Sequence, residues 1–472
     1  MQDHSLLFSV RQNLSASDDL RSAGRAPPQP SSASRTAAAP SILLTATLRW
    51  PIAARLAIAF DKLGARVEAA CPHQHPVTKT RALRRSHPYS ALMPLRSLRA
   101  AIASAQPDLI IPCDDNAALH LHQLYARAAG PDPAATALRE VIARSLGKPE
   151  ACPLATARGR FMALAAEEGV RIPETTVAAT PSDLDTWLSR HPLPTVIKID
   201  CTWGGQGVAI VRNHDEARRV FGFMASRPSL RNAMARLLLD RDPSPLLNSL
   251  RKSRRTVTLQ VFITGTPANR AVACWQGQVL AGTSVEAIKT QHPTGPATVV
   301  RVIENREMSE AVNRLVRRLG LSGLWGIDFV LEASTGAAYM IEMNPRATPI
   351  CHLPLGPGHD LPAALCAHLA GAPAVAPLAA IDPAVIALFP GEWQRNPASA
   401  HLRSDYHDIP WDEPGLVQEC VERPWSERGL IARLWSRLRP KTFGMRVQQK
   451  DLLLAQISVE IARQRLTLKK VK

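Results

Sequence analysis

The chain has 472 residues, of which 46% are hydrophobic and 21% are charged, and its formal net charge is +17. This length and hydrophobic content suffice for two or three packed domains and exclude a chain that is disordered throughout. The most apolar region, 361–390, is interrupted by His368, Asp382 and several prolines, which excludes a lipid-facing span there. We therefore expect a soluble protein of several domains.

Both ends of the chain differ in composition from its middle. Residues 1–40 are dominated by Ser, Ala, Pro and Arg and lack the apolar segment of a secretory signal, so we expect a disordered tail. Residues 376–472 form a C-terminal extension, whose last 52 residues contain thirteen Lys or Arg against four Asp or Glu. Its basic amphipathic stripe over 430–438 suits an anionic membrane surface or an acidic partner, although a helix docked on the protein itself is the commoner case.

Two further patterns bear on compartment and partners. Eight cysteines are scattered along the chain without a CxxC pair, which is typical of reduced thiols and predicts a cytoplasmic protein. The basic cluster RKSRR at 251–255 could attract phosphates, but no aromatic interleaving or nucleic-acid module accompanies it. We therefore expect no nucleic-acid partner.

The segment 41–148 alternates strand and helix patterns, which predicts a small parallel sheet with helices on its faces. The predicted elements in chain order are a strand at 42–48, a helix at 52–63, a strand at 66–71, a helix at 95–105, a strand at 108–112 and a helix at 116–129. Ligands of such sheets bind at the carboxyl ends of the strands. Asp114, Asp115 and Asn116 are therefore candidates for substrate contacts, although capping of the following helix is the commoner role.

The stretch 322–346 reads as a β-hairpin, in which two alternating segments flank a Ser-Thr-Gly turn. Glu342 and Asn344 project to one side of the second strand, and the hairpin returns Asp328 to lie near them. Three oxygen donors of this kind suit Mg²⁺, which fills its remaining positions with waters and phosphate oxygens. Arg346, two residues beyond Asn344, would bring a planar cation to the same phosphates.

A second segment, 195–211, reads as a strand, a glycine-rich loop and another strand. Its loop glycines let backbone N–H groups approach an anion closely; they are Gly204, Gly205 and Gly207. Lys198 on the preceding strand can place an ammonium beside the same anion. A GGxG turn alone is more often a simple hairpin loop, so the prediction depends on the downstream hairpin as well.

The sequence resembles the ATP-grasp superfamily, strongly over 149–369 and weakly over the preceding hundred residues. The resemblance depends on the lysine strand, the glycine loop and the hairpin sequences GIDFV and IEMNPR, in this order. The resemblance implies that Asp328, Glu342 and Asn344 are metal ligands for Mg²⁺ or Mn²⁺. It implies that Arg346 faces the reacting phosphoryl group and that Lys198 contacts the phosphates of ATP. The implied architecture combines α/β and α+β parts, with a parallel-sheet pre-ATP-grasp domain at 41–148 and a two-lobed ATP-grasp domain at 149–375.

The resemblance extends less securely to the rest of the nucleotide site. Arg158 stands where the family usually has a basic residue that reaches phosphate, and the glycine loop matches the flexible loop that closes over ATP. The strand pattern at 256–265 resembles the hinge whose backbone reads the adenine edge, which involves Gln260 and Ile263. Positions that are often acidic in the family hold other residues here, namely Val261, Ala268 and Asn269. Two loop histidines near the site, His352 and His359, are weaker candidates for acid or base groups.

The resemblance implies an ATP-dependent ligase that activates a substrate carboxylate as an acyl phosphate for attack by an amine or similar nucleophile. Its partners would be ATP, a small-molecule carboxylate and an amine. Two alternatives remain open from the sequence. One is a small-molecule kinase of the same fold, and the other is a nucleotide-binding regulatory or scaffold protein without turnover.

Overall fold

The computed structural model describes residues 39–151, 158–199, 207–226, 256–372, 385–404 and 406–421. Several predicted features therefore fall outside the described residues: the N-terminal tail up to residue 38, Gly204, Gly205, the RKSRR cluster and the basic C-terminal helix.

The N-terminal region folds as a four-stranded, all-parallel sheet with the strand order β3–β2–β1–β4. Its elements are β1 (Ser41–Thr45), α1 (Ile52–Lys62), β2 (Arg66–Cys71), β3 (Arg85–Pro88), α2 (Pro94–Ala105), β4 (Leu109–Pro112), α3 (Asp115–Arg127) and α4 (Pro133–Leu146). Strands β1 and β4 are buried along their whole length, as expected where helices cover both faces. The predicted parallel sheet is confirmed.

The strand predicted over 42–48 is shorter in the structure. It ends at Thr45: the amide of Ala46 still donates to the carbonyl of Ala70 at 2.9 Å, whereas those of Thr47 and Leu48 donate to Asp114 at 2.6 and 3.0 Å. A carboxylate that accepts two backbone amides fixes the chain in a turn.

A second sheet of four antiparallel strands follows, with the order β5–β8–β6–β7. Its region comprises α5 (Arg158–Glu167), β5 (Thr175–Ala178), α6 (Pro181–Arg190), β6 (Thr195–Ile199), β7 (Val208–Val211), α7 (His214–Ala225) and β8 (Val257–Val261). Ile197 and Leu259 pack with residues of α6 and α7 in one apolar cluster. Strand side chains alternate, so the intervening residues, among them Lys198, face the opposite side of the sheet.

The largest sheet has seven strands in the order β13–β12–β9–β10–β11–β14–β15. Its first five strands and adjoining helices are β9 (Gly265–Trp275), β10 (Gln278–Thr290), β11 (Ala297–Ile303), α8 (Arg306–Leu319), β12 (Gly323–Glu332), β13 (Ala338–Asn344) and α9 (Leu361–Leu369). Helix α8 packs an apolar stripe onto the sheet, and the hairpin predicted at 322–346 is present as β12 and β13.

The described part of the C-terminal extension joins this same sheet. It contains β14 (Val385–Ala387), α10 (Gly391–Arg395), α11 (His401–Ser404), β15 (Tyr406–His407) and α12 (Pro414–Val421). Strand β14 pairs with β11, and Trp393 and Leu416 enter the apolar cluster that also contains residues of α1. Among the helices in the described ranges, none combines the length and apolar character needed to cross a bilayer.

Candidate active site

The β5–β8–β6–β7 sheet and the seven-stranded sheet both line a cleft that holds a cavity of about 600 Å³. The cavity wall includes most of the side chains singled out from the sequence. They are Arg158, Lys198, Gln260, Ile263, Asp328, Glu342, Asn344 and Arg346. The structure thus brings together residues from the lysine strand, the hinge strand and the hairpin.

The hairpin register places the predicted metal ligands side by side. Asp328 lies directly opposite Glu342, and Gly326 lies opposite Asn344. The register shifts between Asp328 and Phe329. Phe329 pairs with Met340, so Ile341 is an extra residue on β13. This is a β-bulge, which bends the strand and changes the direction of the following side chains.

The bulge corrects the simple alternation expected from the sequence. Strict alternation would place Met340 and Glu342 on the same face of β13. In the structure Met340 is fully buried in the apolar core with Phe329, whereas Glu342 lines the cavity with Asp328. Glu342 and Asn344 do share a face, as predicted, but the bulge at Ile341 is what turns that face toward the cleft.

Two side-chain amides hold Asp328. Asn269 donates its Nδ2 to Asp328 Oδ1 at 2.6 Å, and Asn344 donates its Nδ2 to Oδ2 at 2.9 Å. Burial, followed by the neighbouring Glu342 carboxylate, raises the pKa of Asp328 above its ordinary value. Asp328 is therefore a half-buried acid beside a second acid, an arrangement that a cation would stabilise.

Glu342 faces the cations of the opposite side of the cleft. Arg158 donates its Nη2 to Glu342 Oε1 at 2.5 Å and its Nη1 to the carbonyl of Ile199 at 3.0 Å. Burial opposes ionisation of Glu342, but Arg158 and Lys198 outweigh it and lower the pKa of this carboxyl. The ion pair joins α5 to the hairpin across the cleft.

Lys198 is 4% exposed, and its Nζ lies 3.4 Å from the carbonyl oxygen of Ile341 at the bulge. Burial lowers its pKa from the ordinary value of 10.5 to about 8, against the opposing influence of Glu342 and Asp328. Among the described residues no carboxylate forms an ion pair with this ammonium, and a buried ammonium of this kind is suited to bind an anionic ligand. The polyphosphate of a nucleotide is such a ligand.

Arg346 connects the hairpin to the N-terminal sheet. Its Nε donates to Asp115 Oδ2 at 2.8 Å, its Nη2 donates to Asn344 Oδ1 at 3.1 Å, and its guanidinium lies 5.0 Å from the ring centre of Trp50. Burial alone would lower the pKa of Arg346, but the carboxylate of Asp115 reverses this, and the pKa is raised. Trp50 was missed in the sequence, although it directly follows the predicted carboxyl end of the first strand.

The three polar residues after β4 have different roles. Asp114 is fully buried and caps α3 by accepting from the amide of Ala117 at 2.9 Å, which is the capping role weighed from the sequence. Asp115 lines the cavity and pairs with Arg346. Asn116 is not among the cavity residues.

The hinge strand reaches the cavity through Gln260 and Ile263. The Gln260 Nε2 donates to Thr175 Oγ1 at 3.0 Å, so its amide is engaged by the neighbouring strand β5. Gly207, the described residue of the glycine loop, accepts a backbone hydrogen bond from Ile199 at 3.0 Å.

The two loop histidines lie outside the cavity wall. The His352 Nε2 is 2.6 Å from Asp408 Oδ2, and the His359 Nδ1 is 3.1 Å from the carbonyl of Gly282. Both rings thus have structural contacts, and the structure does not bring them to the candidate site.

The donor set fits Mg²⁺. No group of three or more His, Cys, Asp and Glu side chains suited to a metal occurs in the described ranges, so a cation here would depend on two carboxylates and amide oxygens. Mg²⁺ typically uses one or two carboxylates, with waters and phosphate oxygens completing its coordination. The Oδ1 of Asn269, beside Asp328, is buried without a hydrogen-bond partner, which leaves one amide oxygen in need of a ligand.

Comparison with known proteins agrees with this geometry. The ATP-grasp domain family matches residues 246–349, which include the hinge strand and the whole hairpin. No curated protein matches the chain.

Solved structures share the fold at low sequence identity. N5-carboxyaminoimidazole synthetase from Staphylococcus aureus, complexed with ADP, has a TM-score of 0.50 and 13% identity over 72% of this chain and 78% of that chain. Biotin carboxylase from Campylobacter jejuni, in a β,γ-ATP complex, has a TM-score of 0.50 and 13% identity over 72% of each chain. The chain thus has the ATP-grasp fold and contains an ATP-grasp domain, with its family match in residues 246–349.

Proposed function

We propose that the protein is an ATP-dependent ligase that activates a substrate carboxylate for attack by an amine or similar nucleophile. The observation that supports this most directly is the convergence of Asp328, Glu342 and Asn344 with Lys198 and Arg346 at one cavity. The similar structures named above include a complex with ADP and a complex with an ATP analogue.

The cations of the site bind and orient the phosphates. Lys198 on β6 and Arg346 just after β13 both line the cavity, so a triphosphate bound there would meet both cations. Phosphoryl transfer depends mainly on position and charge neutralisation, and needs no side-chain nucleophile. Asp328, Glu342 and the amide oxygens of Asn344 and Asn269 would hold Mg²⁺. When bound, Mg²⁺ neutralises charge on the phosphate oxygens.

The proposed reaction has two chemical steps. A substrate carboxylate oxygen attacks the γ-phosphorus of ATP, the bond from that phosphorus to the bridging oxygen breaks, and ADP leaves with the bond electrons. The nucleophile then attacks the acyl carbon and loses its proton to solvent, and inorganic phosphate leaves. At the cavity wall Lys198 is buried and Asp328 is half-buried, so both side chains are partly shielded from solvent.

The first test is Mg-ATP binding by calorimetry, followed by phosphate release with pooled carboxylates and amines. Glu342→Gln and Lys198→Ala should each weaken Mg-ATP binding, because each removes a charge at the cavity. Glu332→Gln, at the far end of β12, and Lys289→Ala, an exposed position, are matched controls expected to bind normally.

The outcomes distinguish the alternatives. Phosphate release that requires both acid and amine supports the ligase, and a stable phosphorylated product without an amine identifies a kinase. Nucleotide binding without turnover under any condition would favour a regulatory or scaffold protein. Two hydrogen bonds favour the regulatory or scaffold protein: the side-chain amides of Gln260 and Asn269 are bonded to Thr175 and Asp328, and so are occupied within the protein.

A further inference from the structure

The cleft face of the seven-stranded sheet changes from acidic to apolar along one row of directly opposed residues. Glu342 lies opposite Asp328, Asp328 opposite Asn269, and Asn269 opposite Val285. Adjacent strands are about 4.8 Å apart, so Val285 lies roughly 10 Å from Asp328. A ligand held by the acids at one end therefore meets an apolar wall two strands away.

Strands β10 and β11 continue this wall. Ala287 lies opposite Val300, and both line the cavity. The cavity surface around them is mainly apolar and comes from β10, β11, the segment after the hairpin and the chain just beyond β14. Its main apolar members are Val285, Ala287, Ile288, Val300, Ile350 and Leu388.

The charged groups of the cavity lie outside β10 and β11. The ionisable side chains on its wall, within the described ranges, are Asp115, Arg158, Lys198, Asp328, Glu342 and Arg346. None comes from β10, β11 or the chain beyond β14. A second charge on the body of a substrate would lose its hydration at the apolar wall without gaining a partner.

We propose that the substrate acid has a single carboxylate and an uncharged, mainly apolar body that lies against β10 and β11. This inference rests on the proposed ligase function and adds the substrate class. The carboxylate lies beside Lys198 and Arg346 near the γ-phosphate, and the body extends over Val285 and Ala287. Burial of apolar surface against these side chains favours such acids, and a dicarboxylate of the same length is disfavoured.

The test uses ATP, Mg²⁺ and hydroxylamine, which traps an acyl phosphate as a hydroxamate and so removes the need to know the natural amine. Branched aliphatic and aromatic monocarboxylates are compared with dicarboxylates of matched length. The apolar acids should exceed the dicarboxylates by at least about tenfold in kcat/KM. A preference for dicarboxylates would overturn the proposed substrate class while leaving the ligase function in place. Failure of every acid to give hydroxamate or phosphate would overturn the ligase function, and the substrate class with it.

A variant pair locates the body of the acid. Ala287→Leu narrows the apolar end and should reduce kcat/KM for the bulkiest acids by about tenfold, while short branched acids are affected less. The matched control is Lys289→Leu on the same strand, which is exposed and outside the cavity wall. Mg-ATP dissociation constants should stay within about twofold in both variants. If Ala287→Leu folds poorly, Ala297→Leu is a second variant that narrows the cavity from another position on its wall. An unchanged size preference in the folded variants would place the body elsewhere and contradict the proposal.

Discussion

Two aspartates, the fully buried Asp114 and the half-buried Asp328, have different hydrogen-bond partners. Burial raises the pKa of both. Asp114 accepts hydrogen bonds from the backbone amides of Thr47, Leu48 and Ala117 and from the Thr47 hydroxyl. Among the described residues, the hydrogen-bond donors to Asp328 are the side-chain amides of Asn269 and Asn344.

The difference in partners indicates a difference in role. Backbone donors are part of the fold and cannot turn away, so Asp114 is committed to holding β1 and α3 together. Side-chain amides can rotate and present their oxygens instead, so the partners of Asp328 can rearrange around a cation. A buried carboxylate is therefore a stronger candidate ligand when side chains, rather than backbone amides, satisfy it.

The largest effect is expected from Asp328→Asn. Loss of the charge should reduce kcat by about 10²- to 10³-fold, by analogy with removal of one preorganised contact. The free energy of unfolding should change by less than about 1 kcal/mol, because the shape is kept and repulsion from Glu342 is removed. Steady-state kinetics and urea unfolding measure the two quantities. A large loss of stability with intact turnover would reverse the roles assigned to the two aspartates.

Asp114→Ala should act mainly on stability. The change removes a helix cap and leaves several buried backbone amides without an acceptor, which should lower the free energy of unfolding by about 2 to 4 kcal/mol. Urea unfolding measures this, and Asp114→Asn, which keeps one acceptor oxygen, is the control expected to lose less. If Asp114→Ala unfolds like the wild type, the structural role of Asp114 is wrong.

The smallest expected effect is the pH dependence of activity that follows from titration of Lys198. The charged neighbours of Lys198 are Glu342, Asp328 and Arg158. Deprotonation above a pKa of about 8 should lower kcat/KM for ATP as pH rises, by at most about tenfold per pH unit. Between about 8 and 10.5 the unfolded chain binds the Lys198 proton more strongly than the folded chain, so this group's contribution to stability increases with pH. In Lys198→Arg, kcat/KM for ATP should stay constant between about pH 8 and 10.5. If the variant and the wild type show the same decline, the decline belongs to another ionisable group.

Local sequence patterns predicted best the strands and helices whose limits are set by their own residues. Strand β2 was predicted at its observed limits, and α1 lies within one residue of its predicted limits. Strand β3 was missed because its sequence, RSHP, is short and lacks alternation, and only His87 in it is buried. Helix α4 was also missed, although Asp132 as cap and Pro133 at its first turn are recognisable start signals.

The sequence by itself determined which residue types serve the candidate site and the order in which they occur. Glu342, Asn344 and Arg346 are spaced along one short segment, and the Asp328 strand leads directly into it. Only the tertiary structure decided which way they face. Packing of both Phe329 and Met340 into the core forces Ile341 out of register, and this single extra residue turns Glu342 and Asn344 toward Lys198. Alternation along a strand is a local rule, whereas a bulge depends on what the neighbouring strand and the core require.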